Sequence, residues 1–407
     1  MTPRVLELRE YEPTPVKGVT VEEIRALQAR LPALRADYQG GDRWILTANH
    51  NIGFLQVGDL QVHIRPKITM QTVLFLLGYA VDDIRWQPEQ TQVDQFERPI
   101  DVLAHFLAGA SHRATRSGVL QNYHEQDAAL RVVRGQWQIN EQIRKHHGRP
   151  LPVQVIYDDY TEDVAENQIV VTALQLLRRT APALAARRAV ARALAPFTSN
   201  ITVLPRQQWT RLPDISWTTL NRHYRSAVEV ASLVLREAAI SHNPGGTEVS
   251  GILINMNTAF ERFVRRALRR ELQQPGGRLW KPDSTTPIAF DAAGVVGLEP
   301  DILWSDRGTL RLVGDAKYKK LSPAGFKHAD LYQMHAYCVA TNLPAGLLIY
   351  GDSSRQLRRH HIPGSNITIS VVAVDLQGTD SDIRTSMLSI AEEARDLTRI
   401  SSMQIQM

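Results

Sequence analysis

Cysteine is almost absent: Cys338 is the only one in the chain. One thiol excludes an intramolecular disulfide framework and a cysteine-ligated zinc site. Long apolar runs are missing as well. The longest near the N-terminus, Val73 to Val81, falls short of the ~20 residues that cross a bilayer. No basic, apolar and small-residue leader precedes it, so no signal peptide is expected. There is no fixed-period repeat and no low-complexity tract, which sets aside repeat arrays. The pattern G-x-x-x-x-G-K-[ST] does not occur, so no Walker-type nucleotide site is visible and any NTP-driven work must come from a partner. A cytoplasmic protein without membrane association fits these absences.

What is present is an ordinary globular composition, with 43% hydrophobic and 22% charged residues. At about 100–200 residues per domain, 407 residues imply about two or three domains. The net charge is +5 and the pI about 9.3, most of it from arginine. A mildly basic balance favours polyanionic partners without proving them.

The first part reads as β-rich with helices interposed. Trp44–Ala48, Ile52–Val57 and Leu60–Arg65 alternate apolar and polar residues, and Gly58-Asp59 between the last two predicts a hairpin. Thr69 is a candidate N-cap for a helix from about Met70 to Ala80. Ile100–Ala114 is apolar-periodic, and Gly135-Gln136-Trp137 begins a segment that ends in a strand at Val153–Tyr157. The middle is helical: Asn167–Arg179, an alanine- and arginine-rich solvent-facing helix in Ala181–Ala195, and Leu220–Ala239. Asn243-Pro244-Gly245-Gly246 is the clearest linker and marks a domain boundary. Beyond it the order changes to a short strand (Ile252–Ile254), a helix at Thr258–Leu272, and strands near Arg278–Lys281, Ala289–Phe290, Leu298–Trp304 and Thr309–Tyr318. A helix at Ala329–Ala340 and a strand at Gly346–Tyr350 follow. The expected fold class is α/β plus α+β: a β-rich front, a helical middle and an α/β core at the back.

The chemistry concentrates in Pro300-Asp301-Ile302 and Asp315-Ala316-Lys317, on two strands joined by Ser305-Asp306-Arg307-Gly308. A hairpin places Asp301 on a strand adjacent to Asp315, and the strand period of two puts Asp315 and Lys317 on one face. Two carboxylates can hold Mg²⁺, which prefers hard oxygen ligands; Mn²⁺ would substitute. The carbonyl of Ala316 could supply a further ligand. Such a metal acidifies a bound water and polarises a phosphoryl oxygen. Lys317 would orient the attacking water and stabilise developing charge. The alternative is a surface hairpin with an ordinary Asp–Lys pair; against it, Asp315 ends an apolar run, Leu310–Gly314, where a charge is costly unless paired or metal-bound.

Two further residues could complete the site. Glu261 lies on the helix before the strands, but Thr258-Ala259-Phe260-Glu261 also reads as a capping box, and both roles are open. Gln333 and Tyr337, four apart, share a helix face. Gln333 could bind the attacking water or a phosphate, or simply pack.

These residues resemble McrC, the nuclease subunit of the McrBC modification-dependent restriction systems, within the PD-(D/E)xK nuclease superfamily. The matching stretches are Asn255–Phe263, Pro300-Asp301-Ile302, Asp315–Lys319 and Asp330–Tyr337, with Ile64–Ile68, Arg134–Trp137 and Tyr157–Val170 in the front part. They cover most of the chain in order; Ala181–Pro213 maps to nothing. The resemblance implies an Mg²⁺-dependent DNA endonuclease acting on methylated DNA, with Asp301, Asp315 and Lys317 as the catalytic triad. It also implies an McrB-like hexameric AAA+ GTPase partner, whose hydrolysis this subunit stimulates. The expected domains are then 1–165, a β-rich domain docking on the AAA+ partner; 166–243, a helical connecting region; and 251–407, the PD-(D/E)xK nuclease. A non-catalytic adaptor on a motor ring and a standalone repair nuclease of the same fold are the competing readings. The intact Asp-Asp-Lys set argues against the first, and the front domain against the second.

Overall fold

The computed structural model describes residues 4–79, 98–147, 149–181, 183–240, 249–273, 276–282, 288–291, 293–319, 328–352 and 357–405. The linker expected at Asn243-Pro244-Gly245-Gly246 lies outside these residues, as do Ala80 and Val81 at the end of the first apolar run.

The front begins with β1 (Arg4–Arg9), β2 (Thr14–Lys17), α1 (Val21–Arg30), β3 (Leu34–Gly40), β4 (Arg43–Ala48), β5 (Asn51–Val57) and β6 (Leu60–Arg65). The expected hairpin is β5–β6: Val57 pairs with Leu60, and Gly58 supplies the positive φ of +59° that so short a turn demands. β1 runs parallel to β6. In α2 (Met70–Tyr79) the Thr69 hydroxyl accepts the Thr72 N–H at 3.1 Å, an N-cap as expected. Val73, Leu74, Phe75, Leu76 and Leu77 are all buried. A helix apolar on every side needs cover all round.

The middle comprises α3 (Pro99–Ala114), β7 (Asn122–Leu130), β8 (Gln136–Trp137), α4 (Ile139–His146), β9 (Val153–Thr161), α5 (Ala165–Thr180), α6 (Leu184–Leu194) and α7 (Arg225–Ile240). β7, β9 and β8 form one antiparallel sheet in that order. Gly135 makes its turn at φ +74°, and a Cβ there would meet the Ile156 carbonyl oxygen at 2.3 Å, so only glycine fits. α6 faces solvent as expected, burying only Ala186, Val190 and Ala193. α7 begins at Arg225 rather than near Leu220. The Asn221 side chain accepts the Thr218 N–H at 2.7 Å and the Thr218 hydroxyl takes the Leu220 N–H, local bonds that compete with a helical start.

The back contains β10 (Val249–Asn255), α8 (Met256–Glu271), β11 (Gly277–Trp280), β12 (Ile288–Ala289), β13 (Gly297–Leu298), β14 (Ile302–Asp306) and β15 (Thr309–Lys317). After these come α9 (His328–Thr341), β16 (Ala345–Gly351), β17 (Arg358–Ile362), β18 (Ile367–Val374) and α10 (Asp380–Ile405). A six-stranded mixed sheet runs β11-β14-β15-β16-β18-β17, antiparallel at its ends and parallel across β15, β16 and β18. The single strand expected at Leu298–Trp304 is two. Pro300 has no N–H to donate to a ladder, and the chain leaves β13, paired with β12, before joining β15. α9 packs on β15, β16 and β18 through Met334, Tyr337 and Cys338, which meet Val313, Leu348 and Ile369. α8 and α10 pack on each other and on β15.

The chain divides into two units, Met1–Pro99 with Leu253–Met407, and Ile100–Ile252. These limits differ from those expected at 165/166 and 243/251. The front residues close on the back of the chain for three physical reasons. The sheet order β1-β6-β5-β10 brings β10 beside the first hairpin. Phe75 of α2 meets Phe263 of α8 with ring centroids 5.8 Å apart. The Tyr318 hydroxyl donates to Glu10 Oε2 at 3.2 Å. Each fully buried phenylalanine of such a seam contributes about 2–3 kcal/mol. No described helix is long and apolar enough to cross a membrane.

Candidate active site

Period two along β15 assigns its side chains. Val313 enters the α9-side cluster, so Asp315 and Lys317 follow on that face; Tyr318 turns to the other and meets Phe260 of α8, 6.0 Å between centroids. Asp315 is buried, 2% exposed, and ion-paired with Lys317. Asp301 directly precedes β14, which pairs with β15 from Ile302 opposite Gly314. Its Oδ2 accepts the Ala316 N–H at 3.0 Å, and its carboxyl group is within hydrogen-bonding reach of Asp315. The strands thus bring together the three residues singled out from sequence.

The Lys317 ammonium continues to α9, donating to Gln333 Oε1 at 2.9 Å, and Gln333 Nε2 donates to the Tyr337 hydroxyl at 2.8 Å. Gln333 therefore reaches the lysine of the site, an outcome its helix face left open. Of the two roles open to Glu261, the capping box does not form. α8 starts at Met256 with Asn255 as N-cap, its side chain accepting the Thr258 N–H at 3.2 Å. Thr258 already lies inside the helix, so Glu261 is too far along to reach the cap amide. Its Oε2 instead accepts from Lys281 Nζ at 3.3 Å.

Lys281 is a residue sequence reasoning passed over. It follows the edge strand β11 and donates to Asp301 Oδ1 at 3.0 Å as well as to Glu261. Its signal was weak: a lone lysine after an aromatic, before Pro282. Arg265, also missed, donates to the Asp301 carbonyl oxygen at 3.2 Å; it stands four residues after Glu261, a spacing that placed it on the same helix face.

Electrostatics follow from this crowding. Burial, and then the charge of Asp301, push the Asp315 carboxyl up to about 7, and the Lys317 ammonium only partly opposes this. Burial and Asp301 likewise raise Glu261, opposed by Lys281. Burial alone would lower Lys281 and Lys317, but the carboxylates around each outweigh it, so both ammoniums are raised and stay charged. Burial lowers the Arg265 guanidinium. Lys281 bridges Glu261 and Asp301, Lys317 pairs with Asp315, and the most buried of the three carboxyls, Asp315, is the one pushed up to about 7. Among the described residues no three His, Cys, Asp or Glu are grouped as a metal site.

Fold and site together define an α/β domain with an acid–lysine cluster where a β-hairpin meets two helices. The model for the McrBC 5-methylcytosine restriction system component matches residues 46–351, and the chain belongs to that family. None of the curated proteins matches the sequence. Among solved structures, the chain resembles one in a half-complex of a tetradecameric assembly of Thermococcus gammatolerans McrB AAA+ hexamers with bound McrC. That match has a TM-score of 0.58 and 18% identity over 95% of this chain and 100% of that one. A chain of the Thermococcus gammatolerans McrBC complex, seen by cryo-electron microscopy, matches at TM-score 0.45 and 19% identity over 66% and 88%. At such identities the first likeness is one of fold.

Proposed function

We propose that this chain is the DNA endonuclease subunit of its McrBC-type restriction system, with a PD-(D/E)xK active site formed by Asp301, Asp315 and Lys317. The observation that carries the reading is the buried Asp315, ion-paired with Lys317 on one strand face, with the charge of Asp301 acting on it from just before the neighbouring strand. A structural ion pair has no need of a second carboxylate that raises the first.

Mg²⁺ fits this donor set. The oxygens of Asp301 and Asp315 and the carbonyl of Ala316 would hold it, with water completing the shell, as suits an ion bound by one or two carboxylates. A cation there would oppose the burial and the Asp301 charge that together push the Asp315 carboxyl up to about 7. When bound, the ion supplies Lewis-acid stabilisation of phosphoryl oxygen and a more acidic water. Lys317, held by Gln333, positions an ammonium where charge develops. Lys281 holds Glu261 and Asp301 in place.

The partner would be an McrB-like AAA+ GTPase hexamer, whose GTP hydrolysis this chain stimulates. The Thermococcus assembly, which pairs McrC with McrB hexamers, supports this through its shared fold. In the unit 100–252, Val132, Trp137, Ile139 and Ile143 are exposed, apolar surface of the kind a protein partner covers. Cleavage of methylated and unmethylated plasmid with Mg²⁺, with and without the AAA+ partner and GTP, tests the reading. Cutting of the methylated plasmid by the complete system is expected. A complete system that binds its partner yet leaves methylated DNA intact contradicts it and favours a non-catalytic adaptor.

A further inference from the structure

From Asn167 to Pro213 the chain contains seven arginines and not one aspartate or glutamate. That stretch alone carries more positive charge than the +5 of the whole protein. Five of these arginines sit on the α5–α6 helical pair of the unit 100–252: Arg178 and Arg179 in the last turn of α5, and Arg187, Arg188 and Arg192 on α6. All five are exposed.

The face is built for display. On α6 the buried positions are Ala186, Val190 and Ala193, small residues that pack against the rest of the unit. At about 100° per residue, Arg187, Arg188 and Arg192 fall within an arc of about 140° on the opposite side. Exposed helical arginines are commonly balanced by an acid three or four residues away, as Arg225 is by Glu229 on α7 at 2.9 Å. α6 has no such acid, and Arg188 and Arg192 stand four apart as like charges, a spacing that costs a few tenths of a kcal/mol. Among the described residues none of the five forms an ion pair. The carboxylate of Asp101, which accepts the Ala183 N–H at 2.9 Å, is buried beneath the start of α6 and offers this outer face no counter-charge.

We propose that the arginine face of α5 and α6 binds the phosphate backbone of double-stranded DNA. Guanidinium groups on a rigid helix suit phosphate oxygens. From Arg187 to Arg192 α6 rises about 7 Å, over which B-DNA presents about four charges. The contact is to backbone, so it is indifferent to sequence and methylation. This inference rests on DNA being the substrate; the acidic surface of a protein partner is the alternative occupant.

The test is fluorescence anisotropy of an unmethylated duplex with the full-length chain in EDTA, so that no cutting occurs, over a range of salt concentrations. The variants are Arg187→Gln/Arg188→Gln/Arg192→Gln, and a control that removes equal charge from exposed arginines elsewhere, Arg25→Gln/Arg43→Gln/Arg399→Gln. Glutamine preserves helix propensity. The first triple variant is expected to bind at least tenfold more weakly and to lower the salt slope by about 2–3, near 0.9 per lost phosphate contact. The control should bind like wild type. Unchanged binding by the first variant, equal loss in both, or no binding by wild type at low salt overturns the proposal. Unchanged DNA binding with lost stimulation of the AAA+ partner would assign the face to protein instead. Asp315→Asn separates the two readings: it should not cut, and adding the three arginine substitutions to it should still weaken its duplex binding at least tenfold. If it still cuts while the arginine variant loses binding, the nuclease assignment fails and the DNA-binding face stands.

Discussion

The ammonium of Lys281 lies 3.0 Å from Oδ1 of Asp301, so a cation from the edge of the sheet already occupies one oxygen of the carboxylate that would bind metal. The same ammonium reaches Glu261 at 3.3 Å. Lys281 is thus the protein's own counter-ion for two acids.

Replacing it should make stability depend on divalent ions. Lys281→Met leaves Glu261 and Asp301 without their shared cation. Discounted for the 35% exposure of the side chain, the cost is about 1–2 kcal/mol. Added Mg²⁺ or Mn²⁺ should recover much of the lost melting temperature, and should raise that of wild type less. A variant whose melting point ignores divalent ions would mean that no metal binds beside Asp301.

Glu261 and Asn255 should separate cleanly. Asn255 caps α8, so Asn255→Ala should cost about 1 kcal/mol of stability and leave the specific cutting rate unchanged. Glu261 faces Lys281, so Glu261→Gln should slow cutting at least tenfold with little change in melting temperature. The reverse pattern, measured by thermal melts and single-turnover cleavage, would return Glu261 to a structural role.

Glu10 gives a pH signature. It is 2% exposed, and burial pushes its carboxyl up to about 7, against the pull of Lys67 and Tyr318. The folded chain therefore keeps a proton that the unfolded chain releases near 4.5. Stability from this group is fully present below about pH 4.5 and is lost as pH rises through 7, about 3 kcal/mol in all. Asp315, also raised to about 7, contributes with the same sign. Glu10→Gln should remove the Glu10 share: the variant should gain on wild type between pH 5 and pH 8 in denaturant melts. Parallel pH profiles would show that Glu10 is not titrating in the fold.

A cut at residue 243 should not yield two working halves. It would part α2 from α8, exposing Phe75 on one piece and Phe263 on the other. Expressed alone, each piece should aggregate or melt without cooperativity; expressed together, they should reassemble and elute as one species. Independent cooperative melting of both pieces would contradict the two-unit division.

The hairpins and most helices were legible because their apolar patterns are local: β5–β6 and β14–β15 each carry a two-residue turn between apolar-rich runs. The Asp301, Asp315 and Lys317 constellation was legible for the same reason, since one hairpin brings all three together. What was not legible depends on distance along the chain. Nothing near Lys281 announces that it meets Glu261, twenty residues earlier, and Asp301, twenty later. The pairing of Glu10 with Tyr318 spans 308 positions, so the front residues read as a domain of their own. Glu261 was ambiguous because a capping pattern and an active-site pattern coincide on it, and only the true start of α8 at Met256 resolves which geometry is available.

The most direct measurement is cleavage of a methylated plasmid by wild type and by Lys317→Ala, each combined with the AAA+ partner, GTP and Mg²⁺. Lys317 donates to Gln333 and pairs with Asp315, and in the proposed mechanism its loss would remove the ammonium that stabilises developing charge. Cutting is expected to fall by about 10²–10³-fold or more. Partner binding and stimulation of GTP hydrolysis should persist at wild-type levels. Wild-type cutting by a homogeneous preparation of Lys317→Ala would contradict the account.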